Sequence, residues 1–387
     1  MFLSPHDGKD RKFKAQRYEV SPTSLADELI GYLKRIDGHE WSLSEEKYEN
    51  DGILFALSDS SLVSAEDKKK LGAMSKEAYI IAAREKGIQL VGNSVLALQH
   101  AMFDLLERLG CRFLTPAEAW TIVPEKSRLK LVMGKVFEQP DYVSRRSFFS
   151  TGDGAGWAPD GSLKEIAADC VQWNRATRQG GYATLAFGHT WGSIISANEE
   201  AFRAHPEYFR MNEEGERESF DNPKVRHNPV SMLFCPSKAG LKALCAADRI
   251  SLLERTREKH PTAYLVSMDP NDGSRPCLCD QCKALGNPTD RVLHLANHVA
   301  REIRKVHPDA VGGVLIYPPY NAPPVKERIE PNIYPMLATA FNNSGLSYAE
   351  LARGWVAAGA KQMLVYDYNG IVQWSHAKPL ARRVTFK

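Results

Sequence analysis

The segment Ala263-Tyr-Leu-Val-Ser-Met268, then Asp269-Pro-Asn-Asp-Gly273, then the stripe Val292, Ala296, Val299, Ile303, Val306, then Gly313-Val-Leu-Ile-Tyr317, decides the fold. A six-residue apolar run, turn residues, an apolar face at helical period and a second apolar run spell strand, loop, helix, strand. Two strands joined through a helix lie parallel in one sheet. The rhythm extends in both directions. Further candidate strands are Arg146–Phe149, Tyr182–Phe187, Met232–Cys235, Met336–Phe341 and Met363–Tyr366, which brings the count to seven. Helices between them are marked by Leu163, Ile166, Cys170 and Val171, and by Leu241, Leu244, Cys245 and Leu252. Thr289 is the expected cap of the Val292 helix, and Ser347 with Glu350 forms a capping box ahead of Leu351 and Trp355.

Residues 140–387 therefore read as a (β/α)8-type TIM barrel, the architecture that suits about 240 residues in such units. After Asp367 only twenty residues remain, and none reads as an eighth strand with its helix. The barrel is expected to be incomplete and the chain a fragment, because a missing unit leaves an open seam of unpaired backbone.

Upstream, residues 1–135 read as a small α/β sandwich domain with helices on one face of a sheet. Leu25, Leu29, Ile30, Leu33 and Ile36 follow a possible cap at Ser24. Strands are expected at Ile53–Leu57, Ala78–Ala83 and Gly87–Val91, the last two joined through Glu85-Lys86-Gly87 as a hairpin. Asn93 or Ser94 caps a helix through Val95, Leu98, Met102, Leu105, Leu106 and Leu109, with Gly110 at its end. Pro124 and Pro140 bracket a final strand.

Composition narrows the function. The 387 residues carry Lys+Arg 50 against Asp+Glu 47, a net +3 with the signs interspersed, which gives no footprint for nucleic acid. No apolar run approaches the ~20 residues of a membrane span, and Met-Phe-Leu-Ser-Pro-His-Asp is not a secretory leader. Of seven cysteines, the scattered Cys111, Cys170, Cys235 and Cys245, each taken alone, read as small buried hydrophobes. Cys277-Leu-Cys279-Asp-Gln-Cys282 is compact enough for tetrahedral zinc, with Cys235 as fourth ligand. Disulfides among the same four, or free thiols, are the competing readings. In each case the cluster pins a loop and takes no part in catalysis, for which no cofactor is expected.

In this architecture chemistry sits in the loops after the strands. Those loops hold Ser150–Asp153, Gly188-His-Thr-Trp191, Asp269-Pro-Asn-Asp272, Tyr317-Pro-Pro-Tyr320, Asn342-Asn343 and Asp367-Tyr-Asn369. Aromatic faces mixed with carboxylates and amides suit a sugar. Asp272 is the expected general acid, partly desolvated in its loop, with Asp269 or Asp367 as second carboxylate. His189, Trp191, Asn271, Tyr317 and Tyr366 are expected to line the substrate, and Trp374 is a further aromatic candidate. Asp-Pro-Asn-Asp-Gly is also ordinary turn chemistry.

Two sets of motifs resemble known families. Gly87–Pro124, with Leu109-Gly-Cys-Arg-Phe113 and Val123-Pro124, resembles the small domain before the barrel in beta-hexosaminidases and alpha-glucuronidases. His205-Pro-Glu-Tyr-Phe209, Leu233-Phe-Cys235, Pro270-Asn-Asp-Gly273, Cys277-x-Cys-x-x-Cys282, Ala296-Asn-His-Val-Ala300 and Val365-Tyr-Asp-Tyr368 resemble the domain of unknown function 4838 family. The resemblance implies a glycoside-hydrolase-like barrel that hydrolyses or binds a poly- or oligosaccharide, often in an exported protein longer than this chain. Family 20 hexosaminidases place an Asp-Glu pair where this chain has Asn271-Asp272. That departure keeps an acid but removes the carboxylate that would orient an acetamide. A glycosidase working by carboxylate acid/base catalysis is the expectation; a non-catalytic carbohydrate-binding barrel and an inactive fragment are the alternatives.

Overall fold

The computed structural model describes residues 2–3, 11–14, 18–44, 48, 52–85, 87–125, 133–142, 144–145, 164–179, 188–221, 232–260, 263–272 and 275–367. The candidate strands Arg146–Phe149 and Tyr182–Phe187, the Ser150–Asp153 turn, Leu163, Gly273, Tyr368, Asn369 and Trp374 lie outside these residues. The chain is α/β and divides into two compact units, Met1–Tyr182 and Ala183–Lys387.

The first unit runs β1 (Phe2–Leu3), β2 (Phe13–Lys14), β3 (Glu19–Val20), α1 (Pro22–Asp37), β4 (Gly52–Leu57), α2 (Ala65–Gly72) and β5 (Tyr79–Ala83). It continues with β6 (Gly87–Gly92), α3 (Val95–Arg108), β7 (Arg112–Phe113), β8 (Thr121–Ile122), β9 (Gly134–Glu138) and α4 (Lys164–Ala176). Five strands form one mixed sheet in the order β1-β4-β6-β5-β9. The hairpin is there: β5 and β6 are antiparallel, and Arg84 N–H donates to Gly87 O at 2.8 Å.

Helices cover both faces of this sheet, not one. Ile53, Phe55, Leu57 and Leu90 pack with α1 and α3, whereas Leu54, Ala56, Ile80 and Val91 pack with Leu71 of α2. The reason is legible in β4, an unbroken apolar run that a sheet with one wet face would not need. Helix α4 belongs to this unit through its ion pair from Arg175 to Glu28 at 2.5 Å and a bond from Trp173 Nε1 to Phe113 O at 3.0 Å. The cap of α1 is Ser21, one residue before Pro22; Ser24 sits at the third helical position and returns the bond. Proline at the first helical position lacks only an N–H that would be orphaned anyway.

Ser94 caps α3, accepting from Ala97 N–H at 3.1 Å and donating to Lys76 O at 2.8 Å. Ser94→Ala removes both bonds and is expected to lower stability by about 1 kcal/mol, measured by urea denaturation.

The second unit contains α5 (Trp191–Ala197), α6 (Glu199–Ala204), α7 (Ala239–Lys259), β10 (Leu265–Ser267), α8 (Asp280–Leu285) and α9 (Pro288–Val306). It closes with β11 (Val311–Ile316), β12 (Ile333–Ala338), α10 (Tyr348–Ala357) and β13 (Leu364–Tyr366). Strands β10-β11-β12-β13 stand side by side in chain order, and every neighbouring pair is parallel. All four therefore deliver their following loops to the same edge.

The expected strand at Met232–Cys235 is not part of this sheet. Phe234 makes an isolated antiparallel bridge with Phe209, and its ring stacks on Trp191 at 4.5 Å. The neighbour of β10 on that side is His189, which bridges Asp269 in parallel, with Thr190 N–H donating to Asp269 O at 3.0 Å. The Met232–Cys235 run is apolar because it lines an aromatic cluster, not because it pairs. Among the described residues, the Met232–Cys235 run is thus not a member of the parallel series. The cap of α9 is Asn287, paired reciprocally with Asp290, while Thr289 Oγ1 donates to Ala322 O at 2.6 Å.

Candidate functional site

The edge reached by the four parallel strands is built from four segments: Asp269–Asp272 after β10, Tyr317 onward after β11, Thr339 after β12 and Asp367 after β13. Their polar residues separate into an inner layer that holds the backbone and an outer layer that faces solvent.

Asp269 is the centre of the inner layer and is fully buried. One carboxylate oxygen accepts from Leu315 N–H; the other accepts from Gly188 N–H at 3.2 Å and from the Ser267 hydroxyl at 2.5 Å. Burial is the largest influence on it and pushes the carboxyl up to about 6, against the lowering effect of these donors. A group so enclosed ties β10 to β11 and to the His189 segment. It has no face for a sugar, so the expectation of Asp269 as second catalytic carboxylate gives way to a positioning role.

Asn271 is also turned inward, at 2% exposure. Its Oδ1 accepts from Gly192 N–H at 2.9 Å and its Nδ2 donates to Met232 O at 2.6 Å. Trp191 is 2% exposed, stacked on Phe234, with Nε1 donating to Met268 O at 3.0 Å. Both were expected at the substrate; both instead fasten α5 to the loop after β10.

The outer layer is His189, Asp272, Tyr317, Tyr366 and Asp367. His189 Nδ1 lies 2.6 Å from Pro270 O, a carbonyl that only accepts, so Nδ1 carries the hydrogen and Nε2 points outward. His189 Nε2 is 4.0 Å from Asp272 Oδ1. Burial, followed by the charge of nearby Asp272, pushes the Tyr317 phenol up. The His189 and Tyr317 rings meet edge to face at 6.3 Å, and Phe341 meets Tyr317 at 5.8 Å. Three sequence-predicted residues thus converge on one spot. Asp272 is not desolvated as expected: its side chain is 64% exposed.

Asp367 accepts from the Thr339 hydroxyl, and Tyr348 in turn donates to Thr339 O. Tyr366 is half-buried beside it at the end of β13 and contributes to the field at Tyr317. Sequence reasoning missed Ser267, Thr190 and Thr339. The signal available for Ser267 is a lone hydroxyl in the apolar run Leu265–Met268.

One further cluster lies close in sequence to Asp272. Cys235, Cys277, Cys279 and Cys282 are all buried, and their four sulfurs lie within 4.8 Å of one another. No two of the seven cysteine sulfurs are joined to one another. Cys235 joins the others through the Phe234–Phe209 bridge and not, as expected, as a neighbouring strand end. Among the described residues no helix is long and apolar enough to cross a membrane.

Comparison with known proteins adds the following. No curated protein matches the chain. Among solved structures, the chain is similar to a GH20 beta-N-acetylhexosaminidase from Streptomyces coelicolor, at 11% identity and TM-score 0.44, covering 89% of this chain and 68% of that one. It is similar to a GH20 exo-beta-N-acetylglucosaminidase from Vibrio harveyi at 14% identity and TM-score 0.40, covering 89% of this chain and 55% of that one. A GH115 4-O-methyl-alpha-glucuronidase matches at 8% identity and TM-score 0.42, covering 89% of this chain and 52% of that one. The chain thus spans from about half to about two thirds of the length of these proteins. A family model, that of the domain of unknown function DUF4838, matches residues 115–384. With the ordered motifs from His205 to Tyr368 inside that range, the chain belongs to the DUF4838 family.

Proposed function

We propose that the second unit is the catalytic part of a glycoside hydrolase acting on O-glycosidic bonds of a poly- or oligosaccharide. The observation that supports this most is the meeting of Asp272, His189 and Tyr317 on the common exit edge of the parallel strands. Asp272 is the general acid: in its protonated form it delivers a proton to the leaving glycosidic oxygen as the bond to the anomeric carbon breaks. Tyr317 donates to the carboxylate left behind. His189, held by Pro270 O, offers Nε2 to a sugar hydroxyl. Asp367, outward on the same edge, is the second carboxylate, acting on water or on the anomeric carbon. Asp269 is a positioning residue that fixes Gly188 and Leu315 beneath this layer.

The 64% exposure of Asp272 favours a second reading, in which the unit binds a saccharide without cleaving it, since a solvated acid lacks an enclosed, water-poor site. A panel of aryl glycosides with wild type and Asp272→Asn decides between them. The expected result is measurable turnover, reduced at least about tenfold in kcat by Asp272→Asn with saccharide binding retained. Undiminished turnover in the variant removes Asp272 from the acid role. Calorimetric binding with no turnover on any glycoside establishes the binding reading.

A further inference from the structure

We propose that Cys235, Cys277, Cys279 and Cys282 form a structural zinc site, with zinc bound by four thiolates, that pins the loop carrying Asp272. The geometry is the first argument. A tetrahedral zinc with sulfur ligands at about 2.3 Å places sulfurs about 3.8 Å apart. Cys235 Sγ lies 3.5 Å from Cys279 Sγ and 3.6 Å from Cys282 Sγ, and all four sulfurs fall within 4.8 Å. Unbonded thiols have no reason to gather four at a time: they are weak donors and weak acceptors, and any pair packs as well against carbon. The all-sulfur set selects a soft metal in tetrahedral geometry.

Surrounding groups supply the second argument. Four thiolates around zinc carry a net charge of about −2, which burial disfavours unless donors surround the sulfurs. Such donors are present. Met211 N–H reaches Cys277 Sγ at 3.3 Å, and the Ser237 hydroxyl lies 3.2 Å from Cys235 Sγ. The backbone is fixed from outside as well: Leu278 N–H donates to Met211 O at 2.9 Å and Arg291 Nη1 to Cys277 O at 2.9 Å.

All four positions are filled by protein and the sulfurs are buried, so the site has no open place for water or substrate and is structural. Its effect falls near Asp272 in sequence, with the buried Asp269 carboxylate as one anchor and the cluster as the other. Asp272 lies between the two anchors.

The test uses the full chain purified with reductant and without chelator. Elemental analysis is expected to give about one zinc per chain. Blocking the thiols with a mercurial beside a chromogenic chelator is expected to release that zinc as these sulfurs react. Replacement of zinc by cobalt is expected to give the visible absorption of a tetrahedral cobalt–thiolate centre. Cys282→Ser is expected to lose most of the metal, and the cobalt spectrum of the wild type decides if that variant fails to fold. Metal-free protein with four freely reactive thiols, a mass showing two disulfides, or iron in place of zinc would each overturn the assignment.

Discussion

Asp290→Ala is expected to lower the stability of the second unit by about 3–5 kcal/mol, because several backbone N–H groups lose their shared acceptor at about 1–3 kcal/mol for each that stays buried. Asp290 is fully buried near the start of α9. Its carboxylate accepts from Asn287 N–H at 2.8 Å, Val325 N–H at 3.1 Å, Lys326 N–H at 2.8 Å and Glu327 N–H at 2.8 Å. One side chain thus caps a helix and gathers three successive amides of the segment between β11 and β12. Removing it leaves those N–H groups unpaired, at about 1–3 kcal/mol for each that water cannot reach. Asp290→Asn keeps the oxygen that serves Lys326 and Glu327 but turns an amide against Asn287 N–H, so a loss of about half as much is expected. Urea denaturation of the three proteins checks both values. Equal stability of wild type and Asp290→Ala would show that the 325–327 segment holds without this anchor. Gly286, with φ +131°, lies against the same carboxylate, and a Cβ there would run into it.

What the sequence shows and hides follows from which physical signal each feature leaves. Periodicity is a strong signal, so β10, α9, β11, α10 and β13 are found where the apolar spacing puts them. The Ser347–Glu350 box is read correctly because both partners are named by residue type and spacing. Caps fail by a few residues where proline intervenes: Ser21-Pro22 and Asn287-Pro288 both mark the helix start, and the hydroxyls at Ser24 and Thr289 only look like caps. The Met232–Cys235 run fails for a deeper reason. An apolar run tells that a segment is buried but not whether its backbone pairs with a neighbour or only its side chains do.

The site shows the same division. In Asp269-Pro-Asn-Asp272 every residue is a turn former, and composition gives no hint that the first and third face inward while the last faces out. Asp269, Pro270 and Asn271 are all buried, and the chain reaches solvent only at the turn residue Asp272, a boundary set by tertiary packing and not by residue type. Trp191 is read as a sugar platform because an aromatic after a strand fits one. Its burial depends on Phe234, forty-three residues away, a pairing no local pattern records. The cysteine cluster is legible because its chemistry requires those residues in number, though the route by which Cys235 arrives is not.

The second large effect concerns pH. Wild type is expected to lose about 3 kcal/mol of stability relative to Asp269→Asn as pH rises from about 4 to about 7. In the fold the Asp269 carboxyl is pushed up to about 6 from 3.8, chiefly by burial, and each unit of difference corresponds to about 1.4 kcal/mol. Between those values the folded chain holds a proton that the unfolded chain has released, so raising the pH favours unfolding. The stabilising contribution is therefore full below about pH 4 and lost as pH passes through about 6. Asparagine has no proton to lose, and other carboxylates cancel in the comparison, so the difference between the two urea-derived curves isolates this group. A difference that stays flat across the range would mean that Asp269 ionises alike in both states and that its three donors fully offset burial. A fall with pH would mean they do not. In that case the carboxylate beneath the edge is held against its own preference at neutral pH, by the Leu315 and Gly188 amides and the Ser267 hydroxyl. Because Gly188 leads directly into His189, and Asp269 into the loop ending at Asp272, the residues that meet at the surface are positioned by a charge that the core accommodates at a cost. Replacement by alanine, which leaves both amides without an acceptor, is then expected to be worse than asparagine at every pH.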